Sequence, residues 1–235
     1  MIITAGIATH AFSQKFNILA GINYGGPLPT HMADSTSGKP LPGIKIGFAT
    51  TINLSKHFFL QPEIYYSFEG VNYSQSYTKD TTVSVVIHGS LGTVPSFYTA
   101  YINGKMRFHF INMPLFVGYR IGKTSLLLGP YFSYLSKGKD AGDVRVVIGH
   151  GGFYNDYTDP FNNIGIINKF EGGIVAGANV CIYKKLSLEI KTSRSVVTFY
   201  KPGTLNKGPN TNNKFYNTFV NFSLSYCFYE KTKTE

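Results

Sequence analysis

The residues best suited to chemistry are six ionisable side chains placed at alternate positions of short segments. Acid and base groups on one face of such segments could relay protons or ions, or could neutralise one another inside a packed interior. Both signs of charge occur on the same face, which favours the neutralised, structural arrangement. The six residues are Lys45, Glu63, Glu69, Glu171, Glu189 and Lys191.

Two further groups contain the residue types of a phosphate-binding loop or of a metal site, but not the spacing that either site requires. Gly122-Lys123-Thr124 resembles the end of a phosphate-binding loop, but the glycine required five positions earlier is Val117. His150, Asp156 and Asp159 carry metal-ligating groups, yet their spacing does not match a calcium loop. We therefore predict a solvated loop there, and no metal or cofactor.

Hydrolytic chemistry has three candidate residues. His88 and Ser90 fall in one long polar connection, and His109 falls near its end. No local pattern places an acid beside them, so the residues lack the third group that orients a catalytic histidine. We predict that the protein is not an enzyme and keep a lipid-modifying activity of His88 and His109 as the lesser alternative.

Composition restricts the class of protein. The chain has 235 residues and a net charge of +10, with 15% aromatic but only 14% charged residues. The aromatic content excludes a disordered chain, and no apolar run reaches the ~20 residues of a membrane-spanning helix. The basic residues are scattered and accompany no nucleic-acid-binding motif, so we predict no nucleic-acid partner.

Eight segments alternate apolar and polar residues with the period of two that is typical of β-strands. Each is long enough to cross a bilayer as a tilted strand, which takes ~9–11 residues. The segments are Lys15–Tyr24, Gly43–Leu54, Phe58–Phe68, Arg107–Arg120, Ser125–Leu135, Ile164–Ile182, Leu186–Arg194 and Phe215–Phe228.

The connections between these segments are alternately short and long. The short ones are Ser55–His57, Ile121–Thr124 and Tyr183–Lys185, and the long ones are Gly25–Pro42, Gly70–Met106, Ser136–Asn163 and Thr198–Lys214. This alternation is typical of outer-membrane barrels. We predict an all-β, eight-stranded, antiparallel, up-and-down transmembrane β-barrel with short periplasmic turns and long extracellular loops.

The apolar stripe of each segment is bulky and almost uncharged, whereas the six ionisable residues fall on the other stripe. In a membrane barrel the apolar stripe faces lipid and the polar one lines the lumen. A soluble lipocalin-like barrel would have the opposite arrangement. Cys181 and Cys227 fall on inward positions of two strands that a third separates, so we predict free thiols.

The ends of the chain indicate export. Met1–Ala8 are small and apolar, and residues 1–13 resemble a truncated signal peptide that lacks its positive start. Residues 14–228 would form the barrel domain and 229–235 a periplasmic tail. Tyr226 and Phe228 resemble the terminal-strand signal that barrel-assembly machinery reads. We expect a location in the outer membrane of a didermic bacterium.

Several motifs resemble the PorT-like outer-membrane β-barrel family. They are Leu60–Ser67, Asn112-Met113-Pro114-Leu115, Leu128-Gly129-Pro130-Tyr131, Lys169–Gly173 with Gly177-Ala178, and Leu224–Phe228. The resemblance runs from Phe16 to Phe228. Asn112 stands where that family usually has Glu, and the absence of Trp leaves the interfacial aromatic girdles to Tyr and Phe.

This resemblance implies a fold more firmly than a role, because the family is functionally heterogeneous. We expect a structural or interaction role, in which connections 70–106 and 136–163 contact envelope proteins and the outer surface contacts outer-membrane lipid. A narrow small-solute channel is the alternative.

Overall fold

The structure, a computed structural model, describes residues 14–29, 36–87, 90–150, 153–162, 165, 167–199, 201 and 215–231. Nine strands occur within these residues. They are β1 (Gln14–Pro29), β2 (Thr36–Asn53), β3 (Phe58–Ile87), β4 (Ser90–Ile121), β5 (Thr124–His150), β6 (Phe153–Asn162), β7 (Phe170–Tyr183), β8 (Leu186–Ser195) and β9 (Phe215–Lys231).

Eight of these strands close into a ring. Each strand pairs with its neighbours in chain order, β6 excepted, and β1 closes the ring on β9 (Ile18 opposite Tyr226). Every pairing is antiparallel. The predicted eight-stranded, up-and-down barrel is therefore confirmed. The ninth strand, β6, pairs with β5 from Ala141 to His150, beyond the ring.

The long connections differ from the loops that the sequence predicts. Most of the segment 70–106 continues β3 and β4 as one antiparallel ladder, and 136–163 continues β5 and adds β6. The polar composition suggested loops, but Thr, Val and Tyr favour strands, and the extension buries Val71, Ala100 and Val146. The apolar run Val83–Ile87 forms the end of β3 in this extension.

Two further strand boundaries differ. The strand predicted from Ile164 begins at Phe170, and the last strand continues past Phe228 to Lys231, so the first residues of the predicted tail pair with β1. Residues 1–13, the predicted signal peptide, lie outside the described residues.

Exposure alternates along most of the ring strands. Ile44 is 59% exposed and its neighbour Lys45 2%, and the large apolar residues Phe48, Leu115 and Phe222 also point outward. Outward aromatic residues gather at both ends of this apolar belt. Phe16, Phe58, Tyr119 and Phe228 lie at the short-turn end, and Tyr66, Phe132, Tyr134 and Phe170 lie at the other.

The outward face of β3 shows where the belt ends. It is apolar from Phe58 to Phe68 and polar beyond, with Asn72, Ser74, Thr78 and Asp80 exposed. The chain therefore leaves the hydrocarbon near Gly70, although the strand continues to Ile87. Among the described residues, no helix is long and apolar enough to cross a membrane.

The turns at the opposite end are tight. Gly122, at φ 60°, occupies the left-handed region in the turn between β4 and β5, where glycine is favoured. The motif Gly122-Lys123-Thr124 is thus part of a hairpin turn, without the strand-loop-helix geometry of a phosphate loop.

Candidate functional site

The lumen of the barrel is the candidate site, because the six ionisable residues of the alternating pattern point into it. All six are buried, and each is carried by a ring strand (β2, β3, β7 or β8). The strand period of two puts Glu63 and Glu69 on the same face of β3, and Glu189 and Lys191 on the same face of β8. They form two groups with different electrostatics.

The first group contains two lysines and two glutamates, so its formal charges cancel. Lys191 Nζ donates to Glu63 Oε1 at 2.5 Å and also to Glu189 Oε2. Lys45 Nζ lies 3.7 Å from Glu63 Oε2 and 3.9 Å from the centre of the Tyr65 ring. Glu63 therefore bridges two ammonium groups, one from the adjacent strand β2 and one from β8 across the barrel.

Neutral residues complete this network. Gln61 Nε2 donates to Glu63 Oε1 at 2.8 Å, and Asn179 Nδ2 donates to Glu189 Oε1 at 2.9 Å. The Lys191 ammonium also faces the Phe116 ring, 4.8 Å from its centre. Buried charges are tolerated when they are paired and hydrogen-bonded, and here both conditions hold for Lys191, Glu63 and Glu189.

The second group contains Glu69 and Glu171, which have neutral partners. Ser67 Oγ and Asn23 Nδ2 donate to Glu69 Oε1 at 2.7 and 3.0 Å. The Tyr131 hydroxyl donates to Glu171 Oε1 at 2.5 Å, and Asn217 Nδ2 donates to Glu171 Oε2. No ion pair is found for either carboxyl group within the described part of the chain. The prediction of one self-neutralising set thus corresponds to four of the six residues.

A small cavity separates the two carboxyl groups of the second group. It has a volume of about 10 Å³ and is lined by Glu69, Glu171, Asn112 and Ser133 among others. That is room for about one water. Asn112 donates to Ser67 and accepts from Ser133, so it connects β3, β4 and β5 without adding charge.

Apolar clusters close the lumen above and below these polar groups. At the short-turn end the cluster comprises Phe59, Phe116, Leu127, Tyr131 and Val175. At the other end it comprises Met106, Phe108, Phe110, Leu135, Ile167 and Phe199. Ile167 and Phe199 come from connections between strands and fold inward over the lumen. A continuous aqueous path is therefore absent from the described interior.

A polar contact in the long-strand extension was not predicted from the sequence. Tyr73 on β3 donates to Asp140 Oδ1 on β5 at 2.9 Å, and Asp140 is buried opposite Met106, at the outer edge of the upper apolar cluster. Burial raises the pKa of Asp140 above its ordinary value, and the Tyr73 hydrogen bond offsets part of this rise. The sequence predicted this acid to lie in a loop.

The remaining candidates are dispersed. His109 points outward and contacts Tyr66 and Phe68, whereas His88 and the side chains of Ser90, His150 and Asp156 lie outside the described residues. No cluster of metal-ligating residues occurs among those described. Cys181 and Cys227 are free, as predicted. Tyr226 and Phe228 are exposed on the outward face of β9.

Comparison with known proteins identifies the type of barrel. Residues 12–199 match the family model described as "Outer membrane protein beta-barrel domain". A search among curated proteins found no match.

Solved structures with similar folds include Neisserial surface protein A (9% identity, 92% of this chain and 99% of that chain, TM-score 0.43). They also include the attachment invasion locus protein Ail of Yersinia pestis (10%, 92% and 99%, 0.37) and the outer membrane protease OmpT of Escherichia coli (10%, 94% and 98%, 0.30).

Proposed function

The chain belongs to the outer membrane protein beta-barrel domain family, and on this basis we propose that it has a structural or interaction role in the outer membrane. In this role the barrel anchors an extracellular sheet that contacts other envelope proteins. The single observation that carries the proposal is the combination of a filled lumen with strands that continue far beyond the apolar belt.

The filled lumen argues against transport. Between the two apolar clusters the paired lysines and glutamates occupy the centre of the barrel, and the remaining space holds about one water. An eight-stranded barrel has an interior just wide enough for side chains, which agrees with this packing. A narrow small-solute channel would need these groups to move apart.

The extended strands support interaction. β3 continues 19 residues beyond Phe68, which is about 60 Å of strand at the usual rise per residue. β4, β5 and β6 pair beside it to form a sheet outside the belt. Phe97 and Tyr101 are exposed on the outward face of β4 in this sheet, and exposed aromatic residues are common at protein interfaces.

The PorT-like motifs support a narrower version of this proposal, in which the barrel is a component of a larger envelope assembly. Glu63 lies in the most extended of these motifs and is also the central acceptor of the lumen network. The motif is therefore explained by packing inside the barrel. This leaves the extracellular sheet as the part of the chain that sets the choice of partner.

Two measurements test the proposal. Purified protein in a planar bilayer should give no ion-selective conductance steps. Photo-crosslinking residues placed at Phe97 and Tyr101 in cells should form a discrete adduct with an envelope protein, whereas a matched residue at Val117, on the lipid-facing surface, should not. Conductance steps altered by a Glu63 substitution would instead favour the channel, and crosslinks equal at Val117 and Phe97 would contradict a specific interface.

A further inference from the structure

Five basic residues lie together on the outward face of β4 and β5, immediately beyond the apolar belt. This basic patch consists of Lys105, Arg107, His109, Lys137 and Lys139. Lys105, Lys137 and Lys139 are exposed, and Arg107 and His109 are half-buried. The strand register sets Arg107 opposite Lys139 and His109 opposite Lys137.

A β-bulge creates this arrangement. The register of β4 and β5 shifts between His109 and Phe110, which pair with Lys137 and Leu135, so Ser136 is the extra residue. Before the bulge the outward residues of β5 have even numbers, as in Phe132, and after it Lys137 and Lys139 point outward while Asp140 points inward. Bulges re-aim side chains in this way. The bulge thus places Lys137 and Lys139 on the opposite face of β5 from Asp140, the acid nearest to them in the sequence.

Like charges directly opposite one another destabilise a sheet. No ion pair to Lys105, Arg107, Lys137 or Lys139 is found among the described residues. The nearest outward carboxyl group on these two strands is that of Asp143, which stands opposite Asn103, beyond the patch. The patch therefore concentrates positive charge that none of the described residues neutralises by an ion pair.

The position of the patch indicates what neutralises it. Ile111, Met113 and Phe132, the exposed apolar residues just below it, belong to the belt that faces lipid tails. The Arg107 guanidinium lies over the Phe68 ring, 5.9 Å from its centre, and His109 contacts the same ring and the Tyr66 hydroxyl. The patch is continuous with the aromatic girdle and so lies at the level of lipid headgroups.

We propose that the basic patch binds the phosphate group of an outer-leaflet lipid headgroup. Arg and Lys are the side chains that recognise phosphate, and basic clusters beside a membrane surface attract anionic lipids. The anion sits between the facing residues of β4 and β5 and relieves the repulsion between Arg107 and Lys139. A lipid is favoured over a soluble phosphate compound because the patch opens sideways, next to the acyl chains.

The test measures lipid retention by the purified full chain in detergent, with native mass spectrometry as the readout. The probes are lipid A, the same lipid without its phosphate groups, and inorganic phosphate. The variant Lys137→Gln/Lys139→Gln should bind lipid A about thirtyfold more weakly, equivalent to about 2 kcal/mol. The control Lys56→Gln/Lys123→Gln removes two exposed lysines from the short turns, with equal loss of charge, and should change binding less than threefold.

A second readout separates binding from folding. Without phosphorylated lipid, the Lys137→Gln/Lys139→Gln variant should be at least as stable to heat as the wild type, because repulsion is reduced; lipid A should stabilise the wild type and not the variant. The proposal is overturned if the two double variants lose binding equally, if the dephosphorylated lipid binds as well as lipid A, or if inorganic phosphate alone competes at equal concentration.

Discussion

Replacing Glu63 by Gln should destabilise the barrel far more than the same replacement at Glu69. Glu63 accepts from Lys191 at 2.5 Å and lies 3.7 Å from Lys45, so its neutralisation leaves two buried ammonium groups with Glu189 as the remaining carboxylate. Removing one partner of a buried ion pair costs about 3–5 kcal/mol. Glu69 has the neutral donors Ser67 and Asn23, and Gln still accepts from both, so we expect a change of about 1 kcal/mol or less.

Equilibrium urea unfolding in detergent measures both variants. The chain contains no Trp, so far-ultraviolet circular dichroism or the gel-mobility shift of the folded barrel replaces tryptophan fluorescence. Glu69→Gln is a matched control, because both residues lie buried on the inward face of β3. Equal losses of stability in Glu63→Gln and Glu69→Gln would refute the division of the lumen into a charge-paired and a neutral group.

Two further substitutions test the structure outside this network. Asp140→Asn should raise thermal stability at pH 7.5. Burial raises the pKa of the Asp140 carboxyl group, so ionising this group costs stability in the folded protein, and the cost grows as the pH rises from the ordinary pKa of Asp to the raised one. The difference from wild type should vanish below about pH 4, and a pH-independent difference would contradict the assignment. Gly129→Ala should cost about 1–3 kcal/mol, because a Cβ there overlaps the Leu115 carbonyl oxygen of β4, whereas Gly172→Ala, which has ordinary contacts, should be nearly neutral in the same unfolding assay.

The sequence was sufficient to predict the ring of strands because its signal is local. Alternation along each strand places Ile44 outward and Lys45 inward without knowledge of any neighbour. Tight turns such as Gly122-Lys123 then specify which strands are adjacent. The extension of β3 and β4 past the belt was missed because its outward face is polar, so its composition resembles that of a loop.

The arrangement of the lumen was less predictable because it depends on the register between strands. Glu63 and Glu69 both point into the lumen, yet only Glu63 contacts Lys45 and Lys191. The bulge at Ser136 reverses which alternate residues of β5 point outward, and the residue type at that position does not predict a bulge. This bulge turns Asp140 inward and Lys139 outward, and so both the Tyr73 contact and the basic patch were absent from the prediction.

The orientation of the side chains is the central claim, and site-directed spin labelling of β3 tests it most directly. Single labels from position 58 to 76, in a chain whose two cysteines are replaced by Ser, would be compared for collisions with oxygen, which concentrates in lipid, and with a water-soluble nickel chelate. We predict oxygen accessibility with a period of two at 58, 60, 64, 66 and 68, and chelate accessibility at 72 and 74. Labels at 63 and 67 that collide with oxygen as often as those at 64 and 66 would contradict a closed barrel with its charges inside.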